Sequence, residues 1–372
     1  METPHPSYSC LRSMLVLAAA AGLALCLPPI SPASQKPAPV VHEEVPLPDV
    51  LFLCGEPVPI ERREVGEMLD RELTISAWNQ AQVFMWLKRV GRYFPYIEKR
   101  LKEEGLPDDL KYLAVAESAL IMDIRSSMGA MGPWQFMPGT AREAGLRYDN
   151  MIDERRDFEQ ATTAALKYLK RLREMFGNWA LTMAAYNCGK SRLRGQMKRQ
   201  RSDNFYRLNL PLETERYVFR IAAIKLILED PAKYGYSIPE SRVYRPIPCD
   251  RVEVNSRAVI PMVEVAEAIG TDVKMIKDLN PQILGYNMPR GRYTVNVPPG
   301  QGAHLAMALE KMSKTYAGTG GGSITGDLYV VQRGDTLSSI SKRSGVPVQT
   351  IRSLNGIHGS LIRIGQQLRL RP

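Results

Sequence analysis

The sequence predicts a mostly helical domain that is followed by two small α/β units. From residue 61 to about residue 230, apolar residues recur at helical spacing and no run alternates with the period of a strand. After residue 240 the segments become short, and residues 336–355 align without gaps to residues 261–280, which indicates an internal repeat. A chain of 372 residues has room for two or three domains.

Residues 1–33 have the features of an export signal. Arg12 precedes an apolar run from Met14 to Leu27, which is shorter than the roughly 20 residues that a membrane-spanning helix needs. Small residues follow, and cleavage after Ala33 is predicted. An uncleaved signal and lipidation at Cys26 are the alternatives, and either would attach the protein to a membrane. The expected location is therefore the periplasm or cell envelope.

The helical domain is expected to span residues 61–240. Residues 34–60 are rich in proline and lack helical periodicity, so an irregular lead-in is predicted before it. Asp108 and Asp109 suit the first turn of a helix, where the helix dipole favours acids. The residues expected to divide or end helices in this domain are Pro95, Gly105, Gly177 and Gly189.

Charge and cysteine content narrow the classes of function. The net charge is +10, and residues 190–201 carry six basic residues and no acidic one. Such a run favours an anionic polymer or forms a solvated helix face, and export argues against nucleic acid. Outside the signal the cysteines are Cys54, Cys188 and Cys249. Their wide spacing predicts neither a disulfide framework nor a metal site, although one pair, Cys54 with Cys249, stays open.

The repeat predicts two units of the order strand, helix, helix, strand. The first unit covers residues 250–300 and the second unit covers residues 328–372. Residues 313–327 lie between them and are rich in Gly, Ser and Thr, which predicts a flexible coil that reaches roughly 20 Å. The matched positions of the first and second units include Val265 and Ile340, Gly270 and Gly345, Ile276 and Ile351, and Asn280 and Asn355.

Glu117 is the most unusual residue of the helical domain. It lies on the same predicted helix face as Leu110, Leu113 and Ile121. Burial disfavours the charged form of a carboxylic acid and so raises its pKa, which prepares the group to donate a proton near neutral pH. The alternative is a structural glutamate that pairs with an internal arginine or caps a neighbouring backbone.

A loop rich in small residues follows this glutamate, with the sequence SSMGAMGPWQFMPGTA at residues 126–141. Gly129 and Gly132 allow close backbone approach, Pro133 favours a turn, and Trp134 offers a large flat surface. The loop could form one wall of a groove for a polymer. Trp134 could equally be a core anchor. Pro138 is expected to open the next helix.

Three motifs of the helical domain, in order ESAL, SSMGAMGPWQFMPGTA and AAYNCG, resemble the signatures of soluble-lytic-transglycosylase-type domains, the goose-lysozyme-like family. The segment LPLETERYV resembles a further one, and Pro133 replaces a more usual Leu or Ile. The second unit resembles a LysM module, a glycan-binding domain, through YVVQRGDTLSSISKRSGV and IRIGQQLRL. The first unit lacks GDTL and resembles a degenerate LysM. The resemblance implies a mostly α lysozyme-like catalytic domain with small βααβ LysM modules.

This resemblance implies a peptidoglycan lytic transglycosylase with Glu117 as its only acid and base. Glu117 would protonate the oxygen of the β-1,4 bond between N-acetylmuramic acid and N-acetylglucosamine, then take the proton from the muramyl 6-hydroxyl, which leaves a 1,6-anhydro end. The implied partner is the glycan strand of peptidoglycan, and no cofactor or metal is implied. The residues that would bind substrate are Ser118, Met131, Gln135, Phe136, Tyr186, Asn187, Glu213 and Tyr217.

Three other functions are compatible with the sequence. A lysozyme-like muramidase would use Glu117 with water as the acceptor. A non-catalytic peptidoglycan-binding protein would retain the fold without its chemistry, although the intact motifs argue against it. A basic surface protein would bind anionic polymers without the second unit. Most glycosidases use two carboxyl groups. No second one is predicted here, because the nearby acids Asp123, Glu143 and Asp149 lie on loops or at helix starts and match no catalytic position of the family.

Overall fold

Helices form most of the chain between residues 63 and 229. The structure is a computed structural model, which describes residues 44–318, 328–331, 334–363 and 365–370. The predicted export signal, residues 1–33, lies outside the described residues. The helices of this domain are α1 (Arg63–Trp78), α2 (Gln80–Glu104), α3 (Lys111–Ser118), α4 (Pro138–Glu143), α5 (Phe158–Phe176), α6 (Trp179–Cys188), α7 (Lys190–Gln200) and α8 (Leu212–Glu229).

The core of the domain lies between α1, α3, α5, α6 and α8. Leu69 and Leu73 of α1 and Ile221 and Ile224 of α8 are all buried, and the two helices pack along each other. The predicted helix ends at Gly105 and Gly177 are confirmed, since both glycines take the left-handed conformation that suits a helix C-terminus. Asp108 and Asp109 occupy a single 3-10 turn that leads into α3, also as predicted.

The prediction of a break at Pro95 is wrong. Proline removes one backbone hydrogen bond and clashes with the preceding turn, yet α2 runs without interruption through this residue. Its buried face continues on both sides, with Trp86 and Leu87 before the proline and Ile97 and Leu101 after it. Tertiary packing therefore keeps α2 continuous where local propensity favours an end.

The prediction of an irregular lead-in is also wrong for its last part. Strands β1 (Leu51–Leu53) and β2 (Glu56–Val58) form an antiparallel hairpin. Leu51, Leu53 and Val58 are buried in the core of the helical domain. The backbone N–H of Cys54, in the hairpin turn, donates to Asp109 at 2.7 Å. The hairpin is therefore an integral part of that domain.

Both C-terminal units contain the predicted order strand, helix, helix, strand, and the first unit adds a second pair of two-residue strands. The first unit contains β3 (Asp250–Ser256), β4 (Ile260–Pro261), α9 (Met262–Ala268), α10 (Val273–Leu279), β5 (Asn287–Met288) and β6 (Gly291–Val297). Helix α11 (Gly302–Gly318) follows and packs against β3. The second unit contains β7 (Leu328–Val330), α12 (Leu337–Ser344), α13 (Val348–Asn355) and β8 (Gln367–Arg369). In each unit the first and last strands pair antiparallel.

One asparagine makes the same contacts in both units, as the repeat implies. The amide of Asn280 donates to the carbonyls of Ile276 and Asn296 at 2.8 and 2.6 Å and accepts from the Asn296 N–H at 2.7 Å. The amide of Asn355 donates to Ile351 and Arg369 at 2.7 and 2.8 Å and accepts from the Arg369 N–H at 2.7 Å. Each asparagine ties the second helix of its unit to the last strand.

The predicted coil at residues 313–327 is wrong at its start, because α11 extends to Gly318. Residues 319–327 lie outside the described residues. Ala, Leu, Met, Glu and Lys dominate residues 303–314 and favour a helix, so the Gly-rich composition begins only after it. Within the described part of the chain, no helix combines the length and apolar character needed to cross a membrane.

Candidate active site

Glu117 lies one residue before the end of the short helix α3. The chain leaves the helix through Ala119 and Leu120, both left-handed with φ of 50° and 59°. This conformation costs a residue with a side chain about 1–2 kcal/mol, so it persists only where packing holds it. Leu120 is buried and anchors the turn. The strained turn therefore fixes the end of α3 that carries the carboxyl group.

The carboxyl group of Glu117 accepts a hydrogen bond from the hydroxyl of Tyr217 on α8. Tyr217 is buried, and burial raises its pKa well above the ordinary value. Tyr186 lies on α6, and burial raises its pKa as well. The charge of Glu117 raises the pKa of Tyr186 further. Both phenols therefore stay protonated and remain donors.

Burial raises the pKa of Glu117 to about 7. The hydrogen bond from Tyr217 and the charge of Arg220 lower this pKa, whereas the charge of Glu213 raises it. Arg220 donates to both carboxylate oxygens of Glu213 at 3.0 and 3.3 Å and lies 3.5 Å from a carboxylate oxygen of Glu72. Near neutral pH, Glu117 is thus divided between its acid and carboxylate forms, and it can both donate and accept a proton.

Residues 124–137, called here the wall segment, form a tight loop beside α3. Met131 and Phe136 exchange two backbone hydrogen bonds of 3.2 Å, and Gln135 between them is left-handed with φ of 46°. Gly132 has a φ of 82°, and a Cβ built on it would lie 1.8 Å from the carbonyl oxygen of Arg155. A glycine is therefore required where the wall segment meets the chain at Arg155.

The wall segment is tied to the helices that carry the site. Ser118 donates to the carbonyl of Pro133 at 2.8 Å, and Tyr186 donates to the carbonyl of Trp134 at 2.7 Å. The buried indole of Trp134 donates to Thr162 at 2.9 Å. Trp134 is therefore a core anchor, the second of the two alternatives that the sequence left open.

The structure brings only part of the predicted substrate-binding set into contact with Glu117. Tyr217 bonds to it directly. Ser118, Phe136 and Tyr217 are buried, and Ser118 and Tyr186 support the wall segment. Gln135 donates to the carbonyl of Gly132 at 2.8 Å. The residues whose side chains keep part of their surface in solvent are Met131, Gln135, Tyr186, Asn187 and Glu213.

Two of these partly exposed residues have side-chain partners that restrict what they can bind. Asn187 accepts from Thr214 of α8 at 2.9 Å, which leaves its amide nitrogen for other partners. Glu213 is occupied by Arg220. Their expected contacts with substrate remain predictions.

Sequence reasoning missed two arginines, Arg155 and Arg220. Arg155 is buried, and its guanidinium donates to both oxygens of Asp153 at 2.8 and 2.7 Å. It also donates to the carbonyls of Gly129 and Phe136, each at 3.1 Å. The dense charged run DERRD at residues 153–157 was the available signal. No sequence signal pointed to Arg220, because its position near the site depends on an ion pair with Glu72, which is far away in the sequence.

The three cysteines of the described residues are all free, so the disulfide between Cys54 and Cys249 that the sequence left open does not form. Burial raises the pKa of each thiol. No group of three or more His, Cys, Asp and Glu side chains in the described ranges is arranged to hold a metal ion.

Comparisons with known proteins agree with the motifs around Glu117. Residues 94–209 match the model of the transglycosylase SLT domain, and residues 329–371 match the LysM domain. The chain is 33% identical over 293 residues to membrane-bound lytic murein transglycosylase D of Escherichia coli K12. That match covers 75% of this chain and 63% of the relative, so the chain spans less than two thirds of the relative's length.

Two further similarities concern smaller parts of the chain. An autolysin of Enterococcus faecalis is 50% identical over 54 residues, which are 14% of this chain and 7% of that protein. The crystal structure of the 70 kDa soluble lytic transglycosylase of E. coli aligns with a TM-score of 0.32 and 20% identity, over 41% of this chain and 27% of that one. The chain therefore carries a transglycosylase SLT domain and a LysM domain, which confirms the resemblance that its motifs predicted.

Proposed function

We propose that the protein is a peptidoglycan lytic transglycosylase that uses Glu117 as its acid and base. The observation that supports this most is a carboxyl group whose pKa is raised to about 7 beside the rigid wall segment, inside the matched SLT domain. An acid with such a pKa is suited to both proton transfers that the reaction needs at neutral pH.

The reaction would begin with protonated Glu117 donating its proton to the oxygen of the β-1,4 bond. The bond between this oxygen and C1 of N-acetylmuramic acid breaks, and N-acetylglucosamine leaves with a 4-hydroxyl. The N-acetyl group of the muramyl sugar stabilises C1, as in other glycosidases with one carboxylate. The Glu117 carboxylate then takes the proton of the muramyl 6-hydroxyl, whose oxygen bonds to C1. The product is a 1,6-anhydro end, water is not consumed, and Glu117 is protonated again.

The surroundings of Glu117 support a site with one working carboxylate. Glu213, the acid whose charge acts on Glu117, is bound by Arg220 through two hydrogen bonds. Glu72 is buried and paired with Arg216 at 2.7 Å. Neither acid is therefore available as a nucleophile for the usual two-carboxylate reaction.

The proposed substrate is the glycan strand of peptidoglycan, and the proposed location is the cell envelope. The LysM domain would hold the strand and raise its local concentration at the SLT domain without adding chemistry. The predicted export signal would deliver the chain to this substrate.

The test compares wild type, Glu117→Gln and Glu143→Gln in the release of soluble fragments from purified peptidoglycan. Glu143 is the matched control, because it is an exposed acid of the same domain that pairs with Lys190 at 3.0 Å. Loss of an acid–base group is expected to slow release by roughly 10²–10⁴-fold, whereas Glu143→Gln keeps the wild-type rate. Unchanged release by Glu117→Gln would overturn the assignment.

A further inference from the structure

The first unit is joined to the helical domain by a short stretch of paired backbone. Ile152 and Ile283 form an antiparallel bridge. The N–H of Asp153 donates to the carbonyl of Gln282 at 2.9 Å, and the N–H of Leu284 donates to the carbonyl of Met151 at 2.8 Å. We call this pairing, between residues 151–153 and 282–284, the junction.

Ile152 gives the junction an apolar anchor. Its side chain is 1% exposed and belongs to the core of the first unit, together with Ile260, Val265 and Ile276. The helical domain thus supplies one residue of the core of its neighbour. Truncating a fully buried isoleucine leaves a cavity in the core around it, so this insertion contributes strongly to the junction.

An ion pair reinforces the contact beside the junction. Arg251 of β3 donates to both oxygens of Asp157 at 3.1 Å, and its Nε lies 3.1 Å from Glu159. Asp157 also caps α5 by accepting the N–H groups of Glu159 and Gln160 at 3.1 and 3.0 Å. The first unit therefore holds the chain on both sides of Arg155.

The same stretch of chain supports the wall segment of the candidate active site. Asp153 is part of the junction, and its carboxylate orients the guanidinium of Arg155. Arg155 then binds the carbonyls of Gly129 and Phe136, and its own carbonyl packs against Gly132. The contacts run without a gap from Gln282, through Asp153 and Arg155, to the loop that binds Ser118 and Tyr186.

We infer that the first unit positions the wall segment of the active site. Ile152 and Arg155 are the positioning residues, since Ile152 anchors the junction and Arg155 connects the junction to the wall segment. A unit that repeats the strand, helix, helix, strand order of the LysM domain thus supports the neighbouring SLT domain. The effect on catalysis rests on the proposed function, whereas the effect on the wall segment does not.

The test uses three variants of the full chain: Ile152→Ala, Ile152→Val and Leu305→Ala. Leu305→Ala is the matched control, because Leu305 is equally buried in the core of the first unit but lies on α11 and makes none of the junction contacts. It lowers the stability of the unit without releasing residues 151–153. Ile152→Val keeps most of the buried side chain and serves as the conservative rescue.

Two measurements are made on each folded variant. Hydrogen exchange of residues 124–137 reports the wall segment directly, and turnover of a soluble peptidoglycan fragment gives kcat and KM. Ile152→Ala is expected to speed exchange in this segment about 10-fold relative to Leu305→Ala and to lower kcat roughly 10-fold with a smaller change in KM. Ile152→Val is expected to resemble wild type in both.

Equal exchange and equal kcat in Ile152→Ala and Leu305→Ala would overturn the inference, since the junction would then contribute stability alone. If the wild-type protein cleaves nothing, the proposed function fails instead. Hydrogen exchange still decides in that case whether the first unit positions the wall segment.

Discussion

Glu117 is held by opposing effects that place its pKa between those of an ordinary carboxylic acid and an ordinary phenol. Burial raises the pKa, and the hydrogen bond from Tyr217 and the charge of Arg220 lower it. The result, about 7, depends on single side chains and is therefore open to single substitutions. The two predictions at this scale concern the pH dependence of activity and of stability.

Tyr217→Phe should move the alkaline limb of the kcat profile to higher pH. The substitution removes the hydrogen bond that favours the Glu117 carboxylate, so the pKa of Glu117 rises and the acid form persists further. Tyr186→Phe is the control, because it removes the bond to the Trp134 carbonyl and leaves the bond to Glu117. A limb that stays in place in Tyr217→Phe would show that this hydroxyl does not set the pKa of Glu117.

Glu117→Gln should stabilise the fold at about pH 8 and have no such effect at about pH 4. The folded pKa of about 7 lies above the ordinary 4.5, so stability present below pH 4.5 is lost as the pH rises through 7. Glutamine does not ionise, so the variant avoids this loss of stability. The shift in pKa sets the size of the loss at no more than about 3 kcal/mol. Calorimetry at both pH values measures the difference in Tm between variant and wild type. An equal difference in Tm at both pH values would contradict a half-buried acid whose pKa is raised in the folded protein.

At the scale of elements, the sequence predicts features that are specified by neighbouring residues, and it fails for features that depend on packing against distant residues. Glycines that end helices, such as Gly105 and Gly177, act on their own backbone and could be predicted. Pro95 could not, because residues distant in sequence bury the face of α2 around it. The hairpin of β1 and β2 could not be predicted, because its segment is rich in proline and its burial depends on helices that follow it in the chain.

The candidate site shows the same division. Glu117 lies on a helix as predicted, but α3 ends at Ser118 and does not reach Ile121, which the sequence analysis assigned to the same helix face. The tight loop of the wall segment could be predicted from its glycines. Tyr217 was found by family resemblance, because a partner 100 residues away leaves no local pattern. Arg155 was missed because its contacts bridge two loops and are set by the junction.

Gly132→Ala should destabilise the protein far more than Gly129→Ala. Both glycines are left-handed, at φ of 82° and 86°, but only Gly132 would bring a new Cβ within 1.8 Å of the Arg155 carbonyl oxygen. The strain of the left-handed backbone costs about 1 kcal/mol in each, and the clash raises the cost at Gly132 to at least about 3 kcal/mol. Denaturant unfolding compares the two free energies of unfolding. Equal losses would show that the wall segment is not packed tightly against Arg155.

At the scale of the whole molecule, the two C-terminal units differ in how they pack against the rest of the chain. The first unit shares its core with Ile152 of the helical domain, whereas the second unit has a core of its own around Tyr329, Ile340, Ile351 and Leu368. The second unit matches the LysM domain, and the first is distinguished by its junction. Repetition of one fold has thus produced a LysM domain and a unit that packs against the helical domain.

Deletion of residues 328–372 should lower activity on insoluble peptidoglycan and leave kcat on a short soluble fragment unchanged. In the proposed function the LysM domain raises the local concentration of the glycan strand, so its loss is expected to lower the rate roughly 10-fold or more on the polymer alone. Parallel assays on purified sacculi and on the fragment measure the two rates. Equal losses on both substrates would show that the second unit supports the fold or the chemistry of the SLT domain.

The most direct test of the central claim is digestion of purified peptidoglycan in water enriched in heavy oxygen, with mass spectrometry of the new chain ends. Capture of C1 by the substrate's own 6-hydroxyl predicts 1,6-anhydro ends that carry no label, and none of these ends in the Glu117→Gln variant. New reducing ends that carry the heavy oxygen would contradict the account, because water rather than the muramyl hydroxyl would then be the acceptor.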